Sequence, residues 1–259
     1  MATERYGDVS VDIGADHVAF VELHRPPANF FDVGLIRSVA EAYEDLDRDD
    51  RCRAIVLCAE GKHFCAGADF TGASGAGRSS PGDLYDEAVR LFAAGTPVVA
   101  AVQGAAVGGG LGLACSADFR VAGPRSRFSA NFARLGFHHG FGLSVTLPAI
   151  VGQQRALELL YTGARVDGRI ASEMGLVDRF VPEDTEIRTE AQALAAEIAR
   201  SAPLAVRSIR ATMRGDLADR IRTATRDERA EQARLQKTRD FAEGIRASAE
   251  RRDPDFEGR

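Results

Sequence analysis

The stretch Pro97-Val-Val-Ala-Ala-Val-Gln-Gly-Ala-Ala-Val-Gly-Gly-Gly-Leu-Gly-Leu113 decides how this chain folds. Its first half, Pro97 to Val102, is a continuous apolar run, the pattern of a strand buried on both faces. From Gly104 onward, small residues stand where backbone must approach something closely, and Leu111, Leu113 and Ala114 then read as the opening of a buried helix. A helix amino terminus carries unpaired N–H groups and the positive end of a dipole, so this turn can stabilise an anion without a charged side chain. Working outward, His17-Val-Ala-Phe-Val-Glu-Leu-His24 is apolar with period-two character, and Arg53-Ala-Ile-Val-Leu-Cys58 is another continuous run. Between them, Val33, Ile36, Val39, Ala40, Tyr43 and Leu46 recur at helical spacing, as do the apolar residues of Leu84 to Ala94. Strand, helix, strand, helix, strand predicts an α/β core with a parallel sheet and right-handed crossovers.

A second glycine-rich passage, Gly61-Lys-His-Phe-Cys-Ala-Gly-Ala-Asp69, also follows a strand. Either passage alone reads first as an ordinary turn. Neither fits GxGxxG or GxxxxGK[ST], which disfavours dinucleotide or P-loop phosphate binding. Asp69 is expected to cap or fix its turn. Thr71 to Gly82 has no apolar side chain large enough to anchor it and reads as a mobile loop, either a lid or a bland insertion. From about Glu186 the chain is rich in helix formers, broken at Pro203 and Gly215, with so few large apolar residues that it must pack against something else.

The 259 residues suffice for one large domain with a substantial core, or a core plus an appendage. Thirty-three basic against 38 acidic side chains give a net charge of −5, which offers no electrostatic footprint for nucleic acid or an anionic membrane. No apolar run reaches the ~18 residues of a membrane span, and Met1 to Arg5 lack a leader pattern, so a cytoplasmic protein is expected. Cys52, Cys58, Cys65 and Cys115 form no CxxC pair and read as small core residues. No His/Cys/Asp spacing recommends a metal. Lys62 and Lys237 are the only lysines.

Together, in their order and spacing, these passages resemble the enoyl-CoA hydratase/isomerase family, the crotonase superfamily. Leu23-His-Arg-Pro26 is similar to the family's LxRP after the first strand. Gly61 to Asp69 and Pro97 to Gly110 resemble its two oxyanion segments. Tyr161-Thr-Gly-Ala-Arg-Val166, Ala171-Ser-Glu-Met-Gly-Leu-Val-Asp178, Asp240-Phe-Ala-Glu-Gly244 and Arg252-Asp-Pro-Asp-Phe-Glu-Gly-Arg259 match later elements. The resemblance implies a spiral core of repeated ββα units over residues 1–195 and a helical region over 196–259 used for a homotrimer or a dimer of trimers. It implies an acyl-CoA thioester as partner, no cofactor beyond that coenzyme A, and an oxyanion hole made by the amides of Ala68 and Gly109. Pro27, Ala28, Asn29, Phe30, Lys62, Ala66 and Ala68 would line the coenzyme A, with Lys237 and Phe241 closing its nucleotide end. Phe30-Phe31 departs from the family's commoner Ala-Leu.

The resemblance also marks what this sequence lacks. The family's two hydratase glutamates fall at Gly112 and Phe132, and the carboxylate of an isomerase branch falls at Gly140, so none of the three carries an ionisable group. Backbone amides stabilise charge but do not shuttle protons. In the same loop, His138 and His139 are candidate replacements, with His139 ahead because it adjoins Gly140. The missing side chain at Gly112 suggests spare volume for a bulky acyl group. His63 reads as structural, and His17 and His24 as strand residues with no partner in sight. Two readings stand at this point: an acyl-CoA enzyme with unconventional proton-transfer groups, doing hydrolysis, carbon–carbon cleavage or isomerisation, and a non-catalytic acyl-CoA-binding protein that retains the pocket.

Overall fold

Apolar runs and helical stripes wind into the alternating core that their order predicts. The computed structural model describes residues 3–68 and 81–259. In chain order its strands are β1 (Glu4–Tyr6), β2 (Val9–Ile13), β3 (Val18–Leu23), β4 (Ala54–Ala59), β5 (Val98–Val102), β6 (Ala105–Val107), β7 (Phe119–Ala122), β8 (Arg127–Ser129), β9 (Arg165–Asp167) and β10 (Arg179–Phe180). Its helices are α1 (Val33–Arg48), α2 (Pro81–Ala93), α3 (Gly109–Ser116), α4 (Leu143–Val151), α5 (Gln153–Thr162), α6 (Gly168–Glu173), α7 (Ile187–Ala199), α8 (Pro203–Arg214), α9 (Leu217–Leu235) and α10 (Arg239–Glu250).

The main sheet runs β1-β2-β3-β4-β5-β7-β10 and a smaller one β6-β8-β9. From β3 to β10 every pairing in the main sheet is parallel. All of β4 and β5 is buried, because helices cover both faces. Alternate residues of β4 divide accordingly: Ile55 and Leu57 join the large cluster under α1, α2 and α3, while Ala54, Val56 and Cys58 face α7 through Ile187, Ala191 and Leu194. After β5 and after β7 the chain enters the smaller sheet, at β6 and β8, and then a helix.

Element bounds differ from the expected ones where a single residue departs from the pattern. The first long strand stops short of His17, whose φ of 65° lies outside strand geometry. Helix α1 buries Val33, Ile36, Val39, Ala40, Tyr43 and Leu46. It starts at Asp32, whose carboxylate accepts the Leu35 N–H at 2.8 Å, a cap of the kind that contributes about 1 kcal/mol. Pro81 and Gly82, read above as the end of a loop, instead begin α2, where a leading proline has no N–H to satisfy. Asp69 and the rest of that loop lie outside the described residues.

The helical tail folds back on its own chain. Ile221 of α9 is fully buried in the large cluster, and Phe241 of α10 packs against it. Helix α8 is inverted: its inner face is arginine and its outer face apolar. Arg207 donates to the Asp47 carbonyl at 2.8 Å, Arg210 to the Asp118 carboxylate at 2.9 Å, and Arg214 to Asp118 at 3.0 Å. Leu204 and Met213 on the outside are 81% and 80% exposed.

All four cysteines are buried and unpaired. Burial pushes the thiols of Cys52, Cys58 and Cys65 up to about 12 and that of Cys115 up to about 11. A maleimide at pH 8 should therefore leave the native protein unmodified while adding four labels in guanidinium. A labelled native chain in the mass spectrum would contradict this account of the core.

Candidate active site

The segment after β4 is threaded as an extra strand between two others. On one side Cys65 N–H donates to Ala105 O at 2.9 Å and Val107 N–H to Cys65 O at 3.1 Å; on the other, Ala66 N–H donates to Ala28 O at 2.9 Å and Phe31 N–H to Gly67 O at 3.1 Å. Cys65 pairs in parallel with Ala106, and Phe31 with Ala68. That register ends at Val107, because Gly108 turns the chain into α3.

Close approach accounts for the glycines. A β-carbon on Gly110 would stand 2.1 Å from the Cys65 carbonyl oxygen, so no other residue fits there. Gly108, at φ 58°, turns the chain from β6 into α3 and donates to Ser129 O at 2.8 Å. The first helical bonds of α3 come from Leu111 and Gly112, both to Gly108 O. Among the described residues, the Ala68 and Gly109 N–H groups have no backbone acceptor. Two rings border the turn: a β-carbon on Gly109 would meet Phe31 Cζ at 2.2 Å, and one on Gly108 would meet Phe132 Cζ at 3.7 Å. Both rings are buried, and nearer still to the Gly108 position, at 3.3 Å, is Asn131 Oδ1, so the start of α3 is bordered by two rings and one amide oxygen.

Gly112 offers no spare volume, contrary to the expectation from its missing side chain. A β-carbon there would lie 2.5 Å from Cβ and 2.8 Å from Cγ of Phe141. Phe141, 1% exposed, takes a φ of 62° to put its ring in that place, edge-on to Phe31 at 5.7 Å. Gly140 is occupied likewise: its β-carbon would meet the Tyr85 hydroxyl at 1.9 Å. Tyr85 donates to Gln232 Oε1 at 2.7 Å, and Gln232 donates to the His138 carbonyl at 3.0 Å. Phe132 stands in a row with Phe137 and Phe241, ring centroids 5.5 and 5.3 Å apart.

His138 and His139 stack at 4.1 Å. His138 donates from Nδ1 to the His139 carbonyl at 2.8 Å, and His139 Nε2 lies 2.8 Å from Ser144 Oγ. Burial, with a smaller contribution from His138, lowers the His139 pKa to about 4, leaving the ring neutral near pH 7. Beyond Ser144 stands Glu228 of α9, 1% exposed, with Oε1 3.9 Å from His139 Nε2. Among the described residues, the hydrogen bonds of the two histidine rings run to their own loop and α4, and none reaches the turn at Ala68 and Gly109.

The other histidines have partners after all. His24 donates from Nδ1 to Glu60 at 2.8 Å and lies 2.7 Å from Ser10 Oγ, while His17 donates to the Arg51 carbonyl at 2.9 Å. Both residues flank a strand, and the partners come from neighbouring strands and turns that sequence proximity does not reveal. His63 Nδ1 accepts the Ala105 N–H at 3.1 Å, a structural bond.

Of the residues assigned to coenzyme A, Ala28, Ala66 and Ala68 fall on the threaded strands, with Pro27 and Lys62 exposed at their margin and Phe30 half-buried. Asn29 is different in kind. It is fully buried, donating to the carbonyls of Glu60 and His63 and accepting from Arg25 N–H, so its carboxamide fastens the loop. Lys237 is exposed between α9 and α10, and Phe241 ends the aromatic row. Sequence reasoning missed Tyr85, Phe141, Ser144, Glu228 and Gln232. The one available signal was the spacing of Ile221, Thr225, Glu228 and Gln232, the inward stripe of an otherwise charged helix.

A spiral of strand–strand–helix turns followed by a helical C-terminal region is the crotonase fold. The family model for enoyl-CoA hydratase/isomerase matches residues 14–259, and the chain belongs to that family. It is 34% identical to a putative enoyl-CoA hydratase of Thermus thermophilus over 95% of this chain and 100% of that protein. It is 31% identical to a probable enoyl-CoA hydratase of Bacillus subtilis over 93% of this chain and 95% of that one. Among solved structures, an enoyl-CoA hydratase/isomerase from Pseudoalteromonas atlantica superposes with a TM-score of 0.86 at 28% identity, covering 97% of this chain and 100% of that one.

The contact between Gly112 and Phe141 is open to measurement. Gly112→Ala should destabilise the protein by about 1–3 kcal/mol through overpacking. In a Phe141→Ala background, where the added methyl has room, most of that cost should vanish in a double-mutant cycle by urea unfolding. Strictly additive effects would mean that Phe141 does not fill the space.

Proposed function

We propose that this protein is an acyl-CoA thioester-processing enzyme in which the N–H groups of Ala68 and Gly109 hold the thioester oxygen as it becomes an enolate or a tetrahedral oxyanion. The observation that carries this reading is the pair of amides that, among the described residues, have no backbone acceptor, one on the threaded strand beside Phe31 and one at the start of the buried helix α3. Preorganised donors in such surroundings are worth about 3 kcal/mol each in the transition state. Coenzyme A would lie along Pro27, Ala28, Phe30, Lys62 and Ala66, shaped by Asn29, with Lys237 and Phe241 toward the nucleotide. No further cofactor is invoked.

Two-glutamate hydration does not suit this site. The positions that would carry the acids are Gly112 and Phe132, and an aromatic ring fills the space beside Gly112. Proton transfer is assigned to His139, supported by its neutral ring and by its place in the loop that meets Phe141, with His138 stacked on it. Hydrolysis, carbon–carbon cleavage and isomerisation all begin by polarising the same carbonyl. The aromatic lining supports a second reading, a non-catalytic acyl-CoA-binding protein.

A panel of acyl-CoA thioesters followed by mass spectrometry separates the two. The enzyme reading expects turnover that falls by about 10²- to 10⁴-fold in His139→Ala. Since the ring is protonated only below about pH 4, the acid limb of kcat/KM should lie near pH 4 and not near the usual histidine value. Micromolar binding with no turnover of any thioester would leave only the binding protein. Turnover unaffected by substitution of either histidine would remove their roles.

Assembly as a homotrimer, or a dimer of trimers, is part of the same proposal. Support comes from α8, which turns Leu204, Ile209 and Met213 outward while its arginines hold it to Asp118 and the chain around it. Leu204→Glu with Met213→Glu should shift the sedimentation coefficient from trimer or hexamer toward monomer without loss of helical circular dichroism. An unchanged assembly would place the interface elsewhere.

A further inference from the structure

Glu228 is a buried carboxylate that the proposed chemistry leaves unexplained. It comes from α9, 84 residues beyond its nearest partners, and among the described residues no lysine or arginine pairs with it. It accepts the Gly142 N–H at 2.9 Å, the Ser144 N–H at 3.1 Å and the Ser144 hydroxyl at 2.5 Å. The two amide bonds are a helix cap: Gly142, the residue preceding α4, has no side chain, and the carboxylate of another helix takes its place. Capping does not account for the third bond.

The third bond has a consequence for His139. A hydroxyl has one proton, and a carboxylate only accepts, so the Ser144 proton is committed to Glu228. Ser144 Oγ must then accept from its other neighbour, His139 Nε2, at 2.8 Å. We infer that Ser144 and Glu228 are positioning residues that hold neutral His139 in its Nε2–H tautomer, leaving Nδ1 as the ring atom able to take a proton. This rests on the reading that His139 moves the proton, and it adds which nitrogen does so and what decides it.

The surroundings bear on the inference from each packed element. His138 stacks on the ring from its own loop, and its Nδ1–H donates to the His139 carbonyl and not to the ring. Tyr85 of α2 is engaged with Gln232, and Gln232 with the His138 carbonyl. Glu231 and Arg234 of α9 pair with one another at the surface. Glu228 thus reaches the imidazole through one hydroxyl, the same logic by which a buried carboxylate orients a catalytic histidine in a hydrolase triad, with a serine interposed as a link and not as a nucleophile.

The test reads the tautomer directly. In ¹⁵N-histidine NMR spectra at pH 7, with His139 assigned from the spectrum of His139→Gln, the wild type should show a protonated Nε2 and a pyridine-like Nδ1. Ser144→Ala leaves both amide bonds to Glu228 in place but removes the link, so the two nitrogens should shift toward tautomer-averaged values. Ser144→Thr should restore the wild-type pattern. In the thioester assay Ser144→Ala should lower kcat with KM little changed, and Ser144→Thr should recover it. A wild-type ring protonated on Nδ1, or a Ser144→Ala spectrum identical to wild type, would overturn the inference. If the tautomer depends on Ser144 while His139→Ala still turns over thioesters, the positioning stands and the assignment of the proton transfer to His139 is what fails.

Discussion

One backbone-to-backbone contact organises the rest of this molecule. The Cys65 carbonyl oxygen stands 2.1 Å from where a β-carbon on Gly110 would be, so segment 64–68 can lie against the start of α3 only because residue 110 has no side chain. With that contact go the extra strand between Phe31 and β6 and the close seating of Phe31 on Gly109. Behind it, the wholly buried β4 and β5 form a stiff support that keeps the two segments from drifting apart.

The apolar lining and the crowding at Gly112 and Gly140 are two sides of one arrangement. A partial charge at a helix start is worth more where water is scarce, and the buried rings of Phe31 and Phe132 lie against Gly109 and Gly108. Phe141 takes the room that a side chain at Gly112 would need, and the Tyr85 hydroxyl takes it at Gly140. On the proposed reading, charge stabilisation would sit at the amides of Ala68 and Gly109 and proton transfer in the loop whose His139 bonds Ser144 of α4, with Glu228 of α9 behind it. Only the tail of the chain brings Glu228, so part of the candidate site depends on helices that look from their composition like a mere appendage.

The legible part of the site was the part built from backbone. Glycine patterns announce where the main chain comes close to something, and Gly67, Gly108 and Gly110 do so here. Continuous apolar runs gave away β4 and β5, and the stripe from Val33 to Leu46 gave away α1, because each is a rule about neighbours in sequence. Side chains that act across the fold carry no such mark. The empty position at Gly112 suggested room, yet Phe141 fills it from 29 residues further along the chain, a fact of packing and not of pattern. Helix α8 shows how far packing can depart from pattern: its arginines point inward to Asp118 and its leucine and methionine point out, the reverse of what amphipathic spacing ordinarily means.

By itself, then, the sequence determined the parallel α/β core, the family and the glycine turn at Gly108 into α3, since strand period, helix period and the need for glycine are local constraints that short stretches satisfy or fail. Tertiary structure alone decided that Phe141 closes Gly112, that Tyr85 stands against Gly140, and that Glu228 reaches Ser144 beside His139. These contacts are set by how close-packed elements fill space. The direction of a hydrogen bond, and hence the nitrogen on which a histidine carries its proton, exists only once the partners have been brought within about 3 Å of each other.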